Sequence, residues 1–125
     1  MVLVDTSVWV RFPAGTEPFA SGLDQLLESD DVAAHDLVEG ELLIGDPGGR
    51  PVLLASYKKL PREPTLSHDE AVVFIRSRKL HGRGIRWVDV HVLGSALVAR
   101  APLWTADAPL ATIAAELRIA HEQPS

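Results

Sequence analysis

The stretch Val2-Leu3-Val4-Asp5-Thr6-Ser7-Val8-Trp9 joins a short apolar run to an aspartate and two hydroxyl side chains. An uninterrupted apolar run of this length is typical of a strand that is buried on both faces of a parallel sheet. Two comparable runs follow, Val32-Ala33-Ala34 and Leu103-Trp104-Thr105, with helical patterns between them. This alternation predicts a three-layer α/β/α domain with a mostly parallel central sheet.

The segments between these runs repeat their apolar residues at helical spacing, as Phe19, Leu23 and Leu27 do in the first of them. The predicted helices span residues 19–29, 37–45, 51–60, 68–81, 89–100 and 109–117. The Pro- and Gly-rich pieces 12–18, 46–51 and 60–64 are predicted loops rather than linkers between domains. Since the chain has 125 residues, 46% of them hydrophobic, we expect a single domain over residues 1–125.

The composition excludes several classes of site. The chain contains no cysteine, so disulfide frameworks, thiolate zinc sites and cysteine nucleophiles are excluded. Its first residues lack the basic and apolar regions of a signal peptide, and no apolar run approaches the length that spans a membrane. We therefore expect a cytoplasmic protein without a membrane partner.

The charge balance, with 17 acidic and 12 basic residues and a net charge of −5, argues at first against a nucleic-acid partner. Carboxylates that bind a divalent cation are neutralised when the site is filled, which weakens this objection. Residues 71–88 also contain no acid at all. The basic residues of this segment are Arg76, Arg78, Lys79, Arg83 and Arg86. They form either a solvated helix face with its following loop or a surface that contacts phosphates.

Two helix starts carry a capping-box pattern, which separates structural acids from candidate ligands. Asp36 and Glu39 fit the first box, with Asp36 as the N-cap and Glu39 reaching back to its backbone. Ser67 and Glu70 fit the second, in which Asp69 is a further first-turn acid favoured by the helix dipole. We interpret these acids as structural.

Glu41 is harder to explain as a structural residue. It lies two positions beyond Glu39, about 200° around the helix, and precedes the apolar residues Leu42, Leu43 and Ile44. A carboxylate held on an apolar helix face needs a charge partner or a metal ion. The alternative is a glutamate at the edge of that face whose carboxylate reaches water.

Three aspartates occupy comparable places. Asp5 ends the first apolar run, Asp107 follows the run that ends at Thr105, and Asp89 opens a predicted helix. Ligands of open α/β sheets bind in the crevice at the carboxyl ends of the strands. Taken singly, each aspartate is explained as an N-cap or a first-turn acid. Taken together with Glu41, they are predicted to converge on one crevice.

Four converging carboxylates make sense only with bound cations, since close like charges otherwise force some of them to bind protons. Oxygen ligands without cysteine favour a hard ion such as magnesium or manganese over zinc. The five histidines are scattered, with no His-x-x-x-His spacing, and we expect each to be a surface or partly buried residue. They are His35, His68, His81, His91 and His121. The sequence therefore offers no rival histidine site.

Four stretches in succession resemble the motifs of VapC-type PIN domains, the ribonuclease toxins of type II toxin–antitoxin systems. They are residues 2–9, Val38-Glu39-Gly40-Glu41-Leu42-Leu43-Ile44-Gly45, Gly84-Ile85-Arg86-Trp87-Val88-Asp89-Val90 and Leu103-Trp104-Thr105-Ala106-Asp107. The resemblance covers nearly the whole chain. It implies a PIN fold and an endoribonuclease activity that depends on magnesium or manganese. It also implies inhibition by a cognate VapB-like antitoxin and assembly as a homodimer or a toxin–antitoxin hetero-oligomer.

The resemblance also assigns the site by motif. The catalytic and metal-binding acids that it implies are Asp5, Glu41, Asp89 and Asp107. The hydroxyls that it places near these acids are Thr6, Ser7 and Thr105. Glu39 is a rival to Glu41, but the Leu-Leu-Ile-Gly match and the capping box both favour Glu41. The basic segment supplies candidates to hold the RNA backbone.

Two other functions remain open. A phosphoacceptor receiver domain has a similar α/β order and gathers acids around magnesium, but it needs paired acids after the first strand and a lysine near the end, which this chain lacks. A noncatalytic PIN-like module would bind a partner without any carboxylate-dependent turnover. Trp9, Phe12 and Phe19 are candidates for an antitoxin groove, although packing in the core explains them equally well.

Overall fold

A computed structural model describes residues 1–46, 48 and 50–122 of the chain. The strands are β1 (Val2–Val4), β2 (Val32–Ala33) and β3 (Leu103–Trp104). The helices are α1 (Thr6–Trp9), α2 (Phe19–Glu28), α3 (Asp36–Gly45), α4 (Pro51–Lys58), α5 (His68–Arg78), α6 (Trp87–Ala99) and α7 (Ala108–Glu116). The predicted loop 46–51 lies partly outside the described residues.

The three strands form a parallel sheet in the order β2-β1-β3. Val2 pairs with Val32 and Leu3 pairs with Leu103, so β1 is the central strand. All three residues of β1 are buried, and because successive strand side chains point to opposite faces, both faces of the sheet are covered. The predicted three-layer α/β/α architecture with a parallel sheet is confirmed.

Helix α6 is buried along most of its length, with residues 89–96 all buried, and it packs against α3 and α5. Gly94 allows this close packing, because a Cβ at this position would overlap Leu66 Cδ1. A glycine inside a helix lowers helix stability by about 1 kcal/mol relative to alanine. The close contact with Leu66 explains why a glycine occupies position 94 despite this cost. The packing places the N-terminus of α6 at the carboxyl edge of the sheet.

Two of the helix ends that differ from the predicted ones have clear local reasons. Helix α6 begins at Trp87, before the predicted start, because the Asp89 carboxylate accepts a 2.8 Å hydrogen bond from the Arg86 backbone N–H. Helix α5 ends at Arg78, because Lys79 adopts a left-handed φ of 53° and the Leu80 N–H turns back to the Ile75 carbonyl. Among the helices of the described residues, none has the length and hydropathy needed to cross a membrane.

The predicted capping box at the start of α3 is wrong, whereas the box of Ser67 and Glu70 is confirmed. His35 is the N-cap of α3, and its Nδ1 accepts the Leu37 N–H at 3.0 Å. The helix begins one residue earlier than predicted, which moves Asp36 into the first turn. Asp36 and Glu39 instead each bind Arg62 at 3.0 Å. Glu39 therefore has a structural role, but a different one from the role predicted.

Candidate active site

Asp5 stands at the carboxyl end of β1 and is 4% exposed. Its Oδ2 caps α1 by accepting the Ser7 N–H at 3.4 Å. The same oxygen accepts hydrogen bonds from Ser7 Oγ at 2.7 Å and Thr105 Oγ1 at 2.9 Å. Three donors thus hold one oxygen of this carboxylate.

The hydroxyls of Ser7 and Thr105, beside Asp5, connect the segments that follow β1 and β3 by hydrogen bonds. Ser7 Oγ accepts the Ala106 N–H at 2.8 Å, and Thr105 Oγ1 accepts the Asp107 N–H at 3.0 Å. The two oxygens lie 3.1 Å apart. Because each hydroxyl accepts a backbone N–H, its single proton is left to donate to Asp5. Ser7 and Thr105 therefore position Asp5 rather than compete with it.

The other two aspartates also hold helix starts. Asp107 is the N-cap of α7, and its Oδ2 accepts the Leu110 N–H at 3.1 Å. Asp89 is 5% exposed, and its Oδ2 accepts the Arg86 N–H at 2.8 Å.

Within the described residues, the hydrogen bonds of all three aspartates use Oδ2 and leave Oδ1 without a protein donor. The capping role and a ligand role are therefore compatible in the same side chain.

The pKa of Asp89 shows that the aspartates act on one another. Burial raises the pKa of this carboxyl, and the negative charges of Asp5 and Asp107 raise it further. The Arg86 backbone hydrogen bond and the Arg86 charge oppose this shift. The three carboxylates consequently share one electrostatic environment at the edge of the sheet, as the topology of parallel strands leads one to expect.

Glu41 approaches the same edge from α3. Its Oε1 accepts a 2.6 Å hydrogen bond from Thr6 Oγ1, next to Asp5 in the chain. Its Oε2 lies 3.5 Å from Arg86 Nη2, and the side chain is 22% exposed. Glu39, by contrast, is turned to Arg62. The geometry therefore places Glu41, and not Glu39, with the aspartates.

The basic segment is divided by the fold rather than gathered into one surface. Arg86 contacts both Glu41 and Asp89. Arg83 pairs with Glu116 on α7, with Nη1 and Oε1 3.2 Å apart. The remaining three cations are exposed at the end of α5 and are Arg76, Arg78 and Lys79.

The donor types suit a hard cation, because the candidate ligands and their neighbours offer carboxylate and hydroxyl oxygens rather than thiol or imidazole. The free Oδ1 atoms of the aspartates could supply oxygen ligands, and Glu41 could add a fourth carboxylate. As placed, however, no three ligand-type side chains of the described residues are gathered closely enough to hold a metal ion. The two oxygens of Glu41 are engaged by Thr6 and Arg86.

Two histidines were predicted to be surface or partly buried residues, and this is wrong. His35 is 0% exposed and His91 is 7% exposed. His35 Nε2 lies 3.1 Å from Ser95 Oγ on α6, and the Tyr57 hydroxyl accepts the His35 backbone N–H at 2.9 Å. The only sequence signal was the position of His35 directly after an apolar run, where a helix N-cap was also needed.

The aromatic residues near the N-terminus are packed in the core or against it. Trp9 is 1% exposed and packs edge-to-face on Tyr57. Together with Phe12 and Val52, they line a cavity of about 270 Å³ between α1, α2 and α4. Phe19 does not line this cavity and packs on Trp104 instead.

Comparisons with known proteins agree in family and fold. The family model described as PIN domain matches residues 2–116. The chain is 40% identical over 121 residues to Ribonuclease VapC32 of Mycobacterium tuberculosis, in two strains, and the match covers 96% of this chain and 95% of that protein.

Two solved structures share the fold. The crystal structure of FitAcB from Neisseria gonorrhoeae matches with a TM-score of 0.63 and 22% identity, over 96% of this chain and 95% of that one. The crystal structure of PAE2754 from Pyrobaculum aerophilum matches with a TM-score of 0.60 and 16% identity, over 94% of each chain.

Proposed function

The chain belongs to the PIN domain family, and from this premise we propose that it is a metal-dependent endoribonuclease of the VapC toxin type. The observation that carries the proposal is that the charges of Asp5 and Asp107 act on the carboxyl of Asp89. Glu41 joins them through Thr6, which is next to Asp5 in the chain. The name of a relative supports the proposal, since the chain is 40% identical over 96% of its own length to a protein named as a ribonuclease. The proposed substrate is RNA, and the proposed reaction is hydrolysis of a phosphodiester bond.

Magnesium or manganese would be held by the four carboxylates. When bound, such an ion activates water for attack on a phosphodiester and stabilises the departing oxygen. Hydrolysis of this kind leaves a 5′-phosphate and a 3′-hydroxyl, which makes the product ends a direct test.

The residues around the carboxylates do the positioning. Ser7 and Thr105 fix Asp5 through Oδ2, so that Oδ1 points away from the hydroxyl pair with few rotamers left to lose. Thr6 fixes Glu41 through a 2.6 Å hydrogen bond. A site whose ligands are already ordered loses less conformational entropy when it binds a cation.

The RNA backbone would be bound by cations at and beyond the crevice. Arg86 is the candidate nearest the carboxylates, and the exposed end of α5 adds Arg76, Arg78 and Lys79. Arg83 contributes less, because Glu116 already pairs with it. Contacts of this kind give salt-sensitive binding with little sequence information.

A VapB-like antitoxin is the proposed partner, and the proposed assembly is a homodimer or a toxin–antitoxin hetero-oligomer. The cavity lined by Trp9, Phe12 and Val52 supports this, because it offers an apolar slot of about 270 Å³ between helices. Because toxin and RNA meet inside the cell, the proposed location is the cytoplasm.

The decisive experiment sequences the 5′ ends that the purified protein generates from total cellular RNA with manganese. We expect discrete new 5′-phosphate ends, absent when a chelator replaces the manganese. The test variant is Asp5→Asn, which keeps a carbonyl oxygen to accept from Ser7 and Thr105 and should therefore fold. The matched control is Asp24→Asn, which removes an exposed charge from α2.

The outcomes are distinct. Loss of cleavage in Asp5→Asn with full cleavage in Asp24→Asn supports the proposal. Undiminished cleavage by purified Asp5→Asn would sink the assignment of this site. Binding of RNA or of a partner with no carboxylate-dependent turnover in the wild-type protein would favour the noncatalytic module instead.

A further inference from the structure

Arg86 holds an unusual position between two of the acids. Its backbone is fixed, because its N–H donates to Asp89 Oδ2 at 2.8 Å. Its side chain is 73% exposed, and its guanidinium lies 3.5 Å from Glu41 Oε2 and 3.7 Å from Asp89 Oδ2. The backbone of Arg86 is therefore fixed, whereas its guanidinium makes only long contacts.

The two ion pairs of Arg86 are weak. Strong hydrogen bonds between a guanidinium and a carboxylate are about 2.7–2.9 Å long, shorter than either contact here. Pairs formed by exposed side chains contribute little, because solvent screens the charges and ordering costs entropy. Arg62 differs, since its side chain is 28% exposed and its guanidinium approaches Asp36 and Glu39 to 3.0 Å each. Moving the Arg86 guanidinium away from the two carboxylates therefore costs little free energy.

The contact has an electrostatic reason. Glu41 and Asp89 lie beside two more acids, and the pKa of Asp89 is already raised by burial and by its neighbours. Across the described residues, no other cationic side chain forms an ion pair with any of these four acids. Arg86 is thus the counter-charge of Glu41 and Asp89 within the described part of the chain.

We propose that Arg86 is the displaceable counter-ion of this site. The guanidinium would leave Glu41 and Asp89 when a divalent cation binds, because such a cation carries twice the charge and would reach the carboxylate oxygens directly. The released guanidinium then binds a non-bridging oxygen of an RNA phosphate, for which its planar array of donors is well suited. This inference rests on the proposed function, because it needs both a cation and an RNA.

The first experiment titrates the full-length protein with manganese by calorimetry, without RNA. Arg86→Ala and Arg86→Gln remove the competing charge, and we expect each to bind manganese about fivefold to tenfold more tightly than the wild-type protein. Arg118→Gln is the control: it removes one positive charge beyond the far end of α7, and its manganese affinity should match the wild type. Arg86→Lys keeps the charge and should stay near the wild-type value.

The second experiment measures RNA cleavage over a range of salt concentrations at saturating manganese. Arg86→Ala should raise KM by about tenfold, with a smaller effect on kcat, and lower the slope of log KM against log salt by about one phosphate contact. Arg86→Lys should recover the salt slope but only part of the KM, since an ammonium ion cannot donate in two parallel directions.

The outcomes separate the inference from the function on which it rests. Equal manganese affinity in wild type, Arg86→Ala and Arg86→Gln, or no binding in any of them, overturns the counter-ion role. Tighter manganese binding with unchanged KM and salt slope overturns the phosphate role. Failure of the wild-type protein to cleave RNA overturns the proposed function, whereas the manganese titration still decides the counter-ion role.

Discussion

Replacing His35 with asparagine is expected to change how the stability of the protein depends on pH. His35 is fully buried, its Nδ1 accepts the Leu37 N–H at 3.0 Å, and its Nε2 lies 3.1 Å from Ser95 Oγ. Burial lowers the pKa of His35 below its ordinary value of 6.5, His91 and Arg62 lower it further, and Asp36 opposes them. The folded protein therefore holds this ring neutral.

The sign follows from linkage. Below pH 6.5 the unfolded chain binds a proton at His35 that the folded protein excludes, so the stability present above pH 6.5 is lost as the pH falls toward the folded pKa. One group contributes a slope of at most about 1.4 kcal/mol per pH unit in this window. Between pH 6.5 and about pH 5 the loss is therefore at most about 2 kcal/mol.

The asparagine variant removes this dependence at a cost near neutral pH. Asparagine is a good N-cap, so the bond to Leu37 is kept, whereas the bond to Ser95 and some ring packing are lost. We expect a destabilisation of about 1–3 kcal/mol at about pH 7.5. The difference between wild type and variant should shrink as the pH falls, because only the wild type carries the proton penalty at this position.

The assay is urea unfolding followed by tryptophan fluorescence, with a chelator present so that metal binding does not contribute. His81→Asn is the control, because His81 is exposed, and its stability curve should run parallel to that of the wild type. A difference between wild type and His35→Asn that stays constant from about pH 7.5 to pH 5 would refute the reasoning.

Three further predictions concern packing and the acidic site. Gly94→Ala should lose about 1–3 kcal/mol in urea unfolding, because the added methyl overlaps Leu66, and an unchanged midpoint would contradict this. Thr6→Val removes the donor to Glu41 while keeping the side-chain shape, so kcat should fall about tenfold, and a wild-type rate would show that the 2.6 Å bond is dispensable. Manganese binding should weaken as the pH falls, because the raised pKa of Asp89 makes a proton compete with the cation, and calorimetry that finds a pH-independent affinity would exclude this. Without a cation, folding depends on pH in the opposite direction. The raised pKa of Asp89 means that protonation removes a buried charge, so this residue adds stability as the pH falls.

The sheet and the helices could be predicted because their signals are local. Val2–Val4 and Leu103–Trp104 are strands in the structure. Short apolar runs flanked by loops and helices favour a buried strand, which is why they could be predicted. The place of Glu41 near the aspartates followed from helical periodicity, which turns its side chain away from Glu39. Periodicity alone could not tell what each acid contacts.

The details that were missed depend on residues distant in the chain. Asp36 looked like an N-cap, but its partner Arg62 lies 26 positions away, and His35 took the cap. The burial of His35 depends on Ser95, which is 60 positions away. The basic segment looked continuous in sequence, yet Glu116 captures Arg83. Pairing across such separations is set by tertiary packing, which single-sequence patterns do not encode.

The division of labour between the two oxygens of each aspartate has a consequence for reading related sequences. Because Oδ2 of Asp5 and Asp107 holds a helix start, a copy of this protein that no longer cut anything would still be selected to keep those aspartates for its folding alone. Their retention in a relative is therefore weak evidence that the relative is an enzyme. Glu41 caps no helix, and its two oxygens contact Thr6 and Arg86 at the crevice. Its presence or absence is therefore the better criterion for separating active family members from inactive ones.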